Sequence, residues 1–207
     1  MNDIHDAPPE PGSEGELFLD FVNTVELTGG VPADHASGGR ELREWLHARG
    51  LIGSSVTVAT VEHQLPAFRE LRGVIRELVE RLSEGKRLTA AQLSKLNRAM
   101  RDGVHYHQLL QGADGHRFTV GQVGDDLDQA RAAIAGSLAH YVADHSVDRL
   151  RVCANDGCRW VFVDRSPGGR RRWCDMKVCG NRAKVARHRA RRREATAPTR
   201  RSGARPS

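Results

Sequence analysis

All four cysteines of this 207-residue chain lie within 27 residues near its C-terminus, where they form two close pairs. The pattern is Cys153-x4-Cys158-x15-Cys174-x4-Cys179. Four thiolates are a ligand set of tetrahedral structural Zn²⁺, and a hairpin-length insert between two pairs lets each pair form one half of the cage. The sequence therefore predicts one structural zinc ion per chain and a small metal-bound unit around it.

Other uses of four cysteines are less consistent with the sequence. Two disulfides would suit a secreted chain, but residues 1–16 are acidic and rich in Pro and Gly rather than a signal peptide. An iron–sulfur cluster also accepts four thiolates, yet neither compact ferredoxin spacing is present. A catalytic zinc needs an open position and usually a His or carboxylate ligand, so four cysteines favour a structural ion.

Charge is divided unevenly along the chain. Residues 149–207 contain 18 Arg or Lys and four acidic residues, a net charge of +14, whereas residues 1–148 contain 14 basic and 22 acidic residues, a net charge of −8. This division is typical of an acidic body with a polyanion-binding region. The alternative is a disordered tail that only adds solubility. No apolar run approaches the roughly 18 residues of a membrane span, and we expect a cytoplasmic protein.

Hydrophobic periodicity predicts a mostly helical N-terminal domain with one β-hairpin. We expect a disordered leader over residues 1–15 and a loop over 29–39. Pro66 should begin or bend the longest helix. Helices are predicted over 17–25, 40–49, 56–85, 89–103 and 125–144. The hairpin strands are predicted over 104–110 and 116–122.

The C-terminal part is predicted to be a small zinc-ribbon or treble-clef-like finger followed by a basic helix. Residues 159–163 alternate, 166–169 resemble a turn, and 170–173 should return as a strand. Asn181 can cap a helix that runs to Arg193. The expected division is a helical domain over 16–148, a finger with its helix over 149–194, and a disordered basic tail over 195–207.

The segment Cys174-Asp-Met-Lys-Val-Cys-Gly-Asn-Arg-Ala-Lys184, with Arg170-Arg-Arg-Trp173 and Asp164-Arg-Ser166 before it, resembles the CGNR zinc finger. The motif stands here as Cys179, Gly180, Asn181 and Arg182. Leu17-Phe-Leu-Asp-Phe-Val-Asn-Thr24 and Leu93-Ser-Lys-Leu-Asn97 resemble the ABATE domain that accompanies that finger. The resemblance implies a stress-induced bacterial transcription regulator whose finger binds DNA and whose helical domain binds an unidentified ligand.

A dense basic surface surrounds the predicted zinc site. Guanidinium groups form paired hydrogen bonds with phosphate, and binding should weaken steeply as salt displaces the contacts. The residues expected to contact nucleic acid are Arg170, Arg171, Arg172, Lys177, Arg182, Lys184, Arg187 and Arg189. DNA is favoured over RNA as the partner, although Trp160, Phe162 and Trp173 could stack on unpaired bases. We expect these aromatics to form the small core of the finger instead.

Two weaker sites are considered. His105 and His107 share one face of the predicted hairpin and could hold a metal with His116 opposite, although exposed histidines are the simpler interpretation. A ligand pocket in the helical domain could include Asp20, Asn23 and Asn97. The sequence contains no phosphate loop or nucleophile elbow, so an enzyme is not expected. An RNA-binding or ribosome-associated factor, and a finger that docks a protein partner, remain alternatives.

Overall fold

The structure is a computed structural model that describes the backbone of residues 16–196 and their side chains, apart from those of 121, 122, 190 and 193–196. The helices are α1 (Leu17–Val22), α2 (Gly39–Ala48), α3 (Val58–Ser83), α4 (Ala90–Asp102), α5 (Asp126–Asp144) and α6 (Asn181–Thr196). The strands are β1 (Val25–Thr28), β2 (Val31–Asp34), β3 (Tyr106–Gln111), β4 (Phe118–Val123), β5 (Leu150–Val152) and β6 (Val161–Val163). The predicted leader, and the predicted tail from residue 197, lie outside the described residues.

Helix α3 is the centre of the fold, and α1, α2, α4 and α5 pack around it. Its buried residues recur at steps of three and four, as the sequence predicted for an amphipathic helix. Phe21 from α1 lies between Trp45 of α2 and Phe68 of α3, with ring centroids 5.4 and 6.2 Å away. The mostly helical fold class is confirmed.

Pro66 lies inside α3, so the alternative in which it begins the helix is wrong. The helix starts eight residues earlier, where the Thr57 side chain accepts a hydrogen bond from the backbone N–H of Thr60. Val61 and Leu65, both in the segment before Pro66, are buried in the core. Burial of these side chains outweighs the backbone hydrogen bond that a proline removes.

The segment after α1 differs from the prediction. The helix ends at Val22, and residues 25–34 form the hairpin β1–β2 instead of a longer helix and a loop. Gly29 and Gly30 both have positive φ, as a two-residue hairpin turn requires. The Gly-Gly pair between two short apolar segments was therefore a usable signal for this second hairpin.

Strands β5 and β6 pair with each other, and β5 packs on α3 while β6 contacts α1, so that both enter the core of the helical domain. Leu150 and Val161 are fully buried in the same cluster as the helix residues. The small C-terminal unit and the helical domain thus share a hydrophobic core across the predicted boundary at residue 148. None of the described helices is long and apolar enough to cross a membrane.

Candidate zinc centre and basic helix

The four cysteine sulfurs converge on one point, all within 4.8 Å of one another. The Sγ atoms of Cys158 and Cys174 are 3.6 Å apart, and those of Cys174 and Cys179 are 3.8 Å apart. Zn–S bonds of about 2.3 Å in a tetrahedron separate the sulfurs by about 3.8 Å. The donor set and its spacing therefore fit one zinc ion, and Cys153, Cys158, Cys174 and Cys179 can bind it.

A tight turn after β5 supplies the first pair of ligands. The backbone N–H of Cys153 donates to the carbonyl of Trp160, and the N–H of Cys158 donates to the carbonyl of Asn155, each at 2.8 Å. Arg159 completes the turn with φ 57°, a left-handed conformation that is uncommon for a residue other than glycine. The Asn155 amide donates to the Cys179 sulfur at 3.5 Å, which ties this turn to the second pair.

Of the second pair, Cys174 precedes a π-helical turn, Met176–Gly180, and Cys179 lies within it; the turn continues directly into α6. The Asp175 side chain caps this turn by accepting a hydrogen bond from the N–H of Val178. The predicted cap, Asn181, already has helical dihedrals, and its amide donates to the carbonyl of Lys177. The prediction that Asn181 caps the helix is wrong because the helical path begins five residues earlier, at the zinc ligands.

The thiols lie close enough together to shift one another's pKa values. A hydrogen bond from the Cys174 thiol lowers the pKa of Cys158 to about 5, and the same bond raises the pKa of Cys174. Burial raises the pKa of Cys179 to about 11. Without a cation the cluster therefore holds protons at neutral pH. Zinc binding must release them, so the affinity for zinc should fall as the pH falls.

The hairpin of the finger pairs different strands from those predicted. Strand β6 pairs with β5, which lies before the first cysteine, and residues 170–173 form no strand. This pairing buries Leu150 and Val161 in the main core, which pairing with the arginine segment could not do. The backbone N–H of Ala154 donates a hydrogen bond to the carbonyl of Arg172, which joins residues 170–173 to the first turn without forming a strand.

Asp164 fixes the loop that leads to the arginine segment. Its buried carboxylate accepts hydrogen bonds from the backbone N–H and hydroxyl of Ser166 and from the backbone N–H of Arg171. The hydroxyl contact is the main cause that lowers the pKa of Asp164 to about 2. The carboxylate is therefore charged at neutral pH and holds the loop beside the zinc site.

Substituting Asp164 with Asn should accelerate zinc release on the order of tenfold, because the neutral amide cannot accept all three hydrogen bonds. The rate of zinc transfer to a chromogenic chelator at pH 7 measures this effect. Asp156→Asn is the matched control, because Asp156 is exposed on the first turn and should leave the rate unchanged. Equal rates for both variants would contradict the role assigned to Asp164.

The aromatic residues of the finger form its small core, as expected. Phe162 is buried against Cys153 and Cys179, and Trp160 and Trp173 pack partly buried beside them. Arg171 covers the Phe162 ring at 5.2 Å and donates to the carbonyl of Cys174. The Arg171 guanidinium is thus engaged inside the finger.

The other predicted nucleic-acid contacts are exposed. Arg170 and Arg172 lie on the loop before the second cysteine pair, and Lys177 lies on the π-helical turn. The remaining residues lie on α6: Arg182, Lys184, Arg187 and Arg189. Together they form a basic surface whose position is fixed by the zinc site.

Polar contacts between the two domains were missed by the sequence analysis. The buried Asn23 amide donates to the carbonyl of Val161 at 2.8 Å, and its oxygen accepts from the N–H of Val161 at 2.9 Å. Arg76 donates to the carbonyl of Arg159, whose guanidinium pairs with Glu80 at 2.9 Å. The Asn23 bonds fix β6 to the end of α1, and the Arg76 and Glu80 contacts fix the end of the first cysteine turn to α3. The partners are more than 75 residues apart in sequence, so no local pattern signals them.

The three residues considered for a ligand pocket, Asp20, Asn23 and Asn97, lie in different environments. Both polar groups of Asn23 are bonded to Val161, and the Asp20 carboxylate pairs with Arg49 at 3.3 Å. Asn97 is exposed on α4. Asp20 and Asn23 thus have structural partners that explain their polar side chains.

The three histidines considered for a metal site are exposed on the hairpin, which was the simpler interpretation. The register places His107 opposite Gln122, while His116 lies beyond the Gln111–Phe118 pair at the turn. Asp114 and the positive φ of Gly115 set this register. His105 and His107 are exposed with ring centroids 6.1 Å apart. Among the described side chains, only the four cysteines form a group of three or more metal-ligating residues.

The fold and the four-thiolate site define a zinc-finger protein. Residues 149–192 match the CGNR zinc finger, and residues 15–145 match ABATE, a family described as "Putative stress-induced transcription regulator". The ABATE match spans more than half of the chain, so the chain belongs to this family. Both matches are to regulator and zinc-finger types rather than to enzymes. No curated protein matches the chain.

Proposed function

We propose that this protein is a DNA-binding transcription regulator in which zinc orders α6 for insertion into the major groove. The observation that carries this proposal is the exposed row of cations on a helix that begins at a zinc ligand. None of Lys177, Arg182, Lys184, Arg187 and Arg189 pairs with a described carboxylate. Their charges are therefore available to phosphates and bases.

Helical geometry divides the four predicted contacts on α6 between different faces. Arg182 and Arg189 are seven residues apart and share one face, on which they border a shallow groove with Val178, Asn181 and Val185. At about 100° per residue, Arg187 points roughly 160° away from Val185, and Lys184 lies on the flank between them. One groove of DNA cannot contact all four side chains equally.

We assign base contact to the face around Val185. Val178 and Val185 are 41% and 48% exposed there, and apolar side chains can contact the thymine methyl group. Arg182 and Arg189 on the same face can form paired hydrogen bonds with guanine. Lys184, Lys177, Arg170 and Arg172 would contact phosphates beside the groove. Arg187 would point away from DNA and add only general attraction.

Duplex DNA is favoured over single-stranded RNA by the burial of the finger aromatics. Phe162 is covered by Arg171, and Trp173 is partly buried with Arg172 over its ring at 5.2 Å. Recognition of single strands depends on open aromatic faces on which bases stack. These rings are instead occupied by the zinc site and by arginines.

The helical domain is proposed to regulate the finger by binding a ligand or a partner. The support is the set of contacts by which Asn23 holds β6 and Arg76 and Glu80 hold Arg159 at the end of the first cysteine turn. A binding event that moved α1 or α3 would change the position of the zinc site. A role in transcription would place the protein in the cytoplasm of a bacterium.

Arginine substitutions on α6 test the assignment of faces. Arg182→Ala and Arg187→Ala each remove one exposed positive charge from the same helix. Arg182→Ala should lower affinity for a preferred duplex about 5- to 100-fold, because it removes a base contact. Arg187→Ala should lower affinity for preferred and random duplexes alike, by about twofold. The preferred sequence is first selected from a random duplex library, and fluorescence anisotropy then measures both affinities. Equal losses from the two variants would contradict the assignment.

A further inference from the structure

Arg159 follows Cys158 directly, and its backbone has a conformation that arginine rarely adopts. Its φ of 57° is the only positive value among the described residues other than glycine. A left-handed conformation is unfavourable for a residue with a Cβ, and it persists only where neighbouring contacts impose it. Arg159 joins Cys158 to Trp160, whose carbonyl accepts the N–H of Cys153 at 2.8 Å. A different conformation of Arg159 would therefore move Cys158 away from Cys153.

Two side chains of α3 bind Arg159, one through its main chain and one through its side chain. Arg76 donates to the Arg159 carbonyl at 2.7 Å, and the Arg159 guanidinium donates to the Glu80 carboxylate at 2.9 Å. Arg76 and Glu80 are four residues apart, so they lie on the same face of the helix. One helix of the helical domain thus supplies contacts that can impose the conformation of Arg159.

The rest of the first cysteine turn also packs on the helical domain. The N–H of Gly30, in the turn between β1 and β2, donates to the carbonyl of Gly157 at 3.3 Å. A Cβ at Gly157 would lie only 3.2 Å from the Gly30 nitrogen, which shows how closely the two turns approach. The second cysteine pair lies next to α6 instead, and α6 packs broadly on no described element other than Met176–Gly180. One half of the zinc cage is therefore attached to the helical domain and the other half to α6.

Arg76 also brings a positive charge toward the zinc site. Burial lowers the pKa of Arg76, and the negative charges of Glu80 and of the Cys158 thiolate act in the opposite direction. A guanidinium stays protonated in proteins. Four thiolates outweigh the charge of one Zn²⁺, so the occupied site is negative, and a nearby cation favours the charged thiolates. The charge of Arg76 and its hydrogen bond to Arg159 thus both favour zinc binding.

We propose that Arg76 and Glu80 are positioning residues of the zinc site. They hold Arg159 in its left-handed conformation, and Arg159 in turn holds Cys158 where its thiolate can bind zinc. Removal of a group that orients a metal ligand typically lowers metal affinity by about 10- to 100-fold. The affinity for zinc is therefore set by the helical domain as well as by the four cysteines. Only zinc binding is needed for this role, so its test does not depend on the proposed binding of DNA.

The test is the affinity of the full-length protein for zinc, measured by competition with a chromogenic chelator at pH 7. Arg76→Met keeps an apolar side chain of similar length and removes the donor and the charge. It should raise the dissociation constant for zinc about tenfold. Glu80→Gln should raise it about two- to fivefold, because an ion pair whose carboxylate is 36% exposed contributes less. This second change lies at the surface, so it tests the role even if Arg76→Met does not fold.

Arg69→Met is the matched control. Arg69 lies on the same helix and also donates to a backbone carbonyl, but that carbonyl belongs to Ser37 in the helical domain. This variant should bind zinc within about twofold of the wild type. A merely structural role of Arg76 would lower the stability of the zinc-free and zinc-bound proteins alike, which leaves the dissociation constant unchanged.

Far-UV circular dichroism verifies that each variant is folded. An Arg76→Met variant that binds zinc as tightly as Arg69→Met, or a Glu80→Gln variant that binds it as tightly as the wild type, would overturn the proposal.

Discussion

Substitution of Cys153 with Ser is expected to abolish zinc binding and sequence-specific binding of DNA together. Cys153 is fully buried, and its sulfur is one of four that meet at the site. A structural zinc site contributes about 10–16 kcal/mol of apparent binding free energy to folding, and a hydroxyl does not replace a thiolate ligand. The turn that begins α6 would lose its anchor. Zinc per chain should fall from one to near zero, and affinity for DNA should fall more than about 100-fold.

Met176→Ser controls for the loss of a sulfur-containing side chain beside the site. Met176 is 50% exposed in the π-helical turn and is not among the clustered cysteines. This variant should keep one zinc ion and most of its affinity for DNA. Elemental analysis of dialysed protein and anisotropy titrations measure the two quantities. A Cys153→Ser variant with one zinc ion and wild-type affinity would show that the four-thiolate site does not organise the DNA-binding surface.

Leu150→Ala is expected to destabilise the whole protein by about 2–5 kcal/mol, although Leu150 lies in the C-terminal unit. The side chain is fully buried in the core that α3 organises, so its truncation leaves a cavity between the two domains. Urea unfolding monitored by far-UV circular dichroism measures the free energy of unfolding. The helical signal should shift to lower urea because β5 and the helices share one core.

Leu93→Ala is the control for loss of the same atoms from the surface. Leu93 is 43% exposed on α4, and its truncation should change the free energy of unfolding by about 0.5 kcal/mol or less. If Leu150→Ala has an equally small effect, the helical domain does not depend on the finger. A fragment that ends at residue 148 would lack both Leu150 and Val161, and we expect it to be less stable than the same domain in the full chain.

Local signals in the sequence predicted much of the fold. Helices α2 to α5 follow apolar stripes at three- and four-residue steps, and the Thr89–Gln92 capping box and the Asp125 cap begin α4 and α5 as expected. The zinc ligands follow from spacing alone because the pairs are close in the chain. The exposed hairpin was also predicted, since the turn at residues 112–115 is a local feature.

Non-local contacts explain what the sequence did not predict. The predicted hairpin of the finger paired the wrong strands, because burial of Leu150 against α3 decides which strand pairs with β6. The alternation of residues 159–163 indicates a strand but does not indicate its partner strand. Asn23 was considered for a ligand pocket because a polar residue beside an apolar stripe has no visible partner in sequence. Its partner, Val161, is 138 residues away. The residues of α6 could be assigned to different helix faces only once the structure showed where the helix begins.

Zinc is proposed to order a basic helix that binds duplex DNA. The most direct test of this function is the affinity of the full-length protein for a labelled random duplex. The affinity is measured over a range of salt concentrations with zinc bound and again after chelation, beside an RNA of equal length. With the four proposed phosphate contacts, log affinity should fall against log salt with a slope of about −3.6, and chelation should remove most of the binding. Binding to DNA that chelation leaves unchanged, or affinity for RNA that exceeds affinity for DNA at every salt concentration, would contradict the claim.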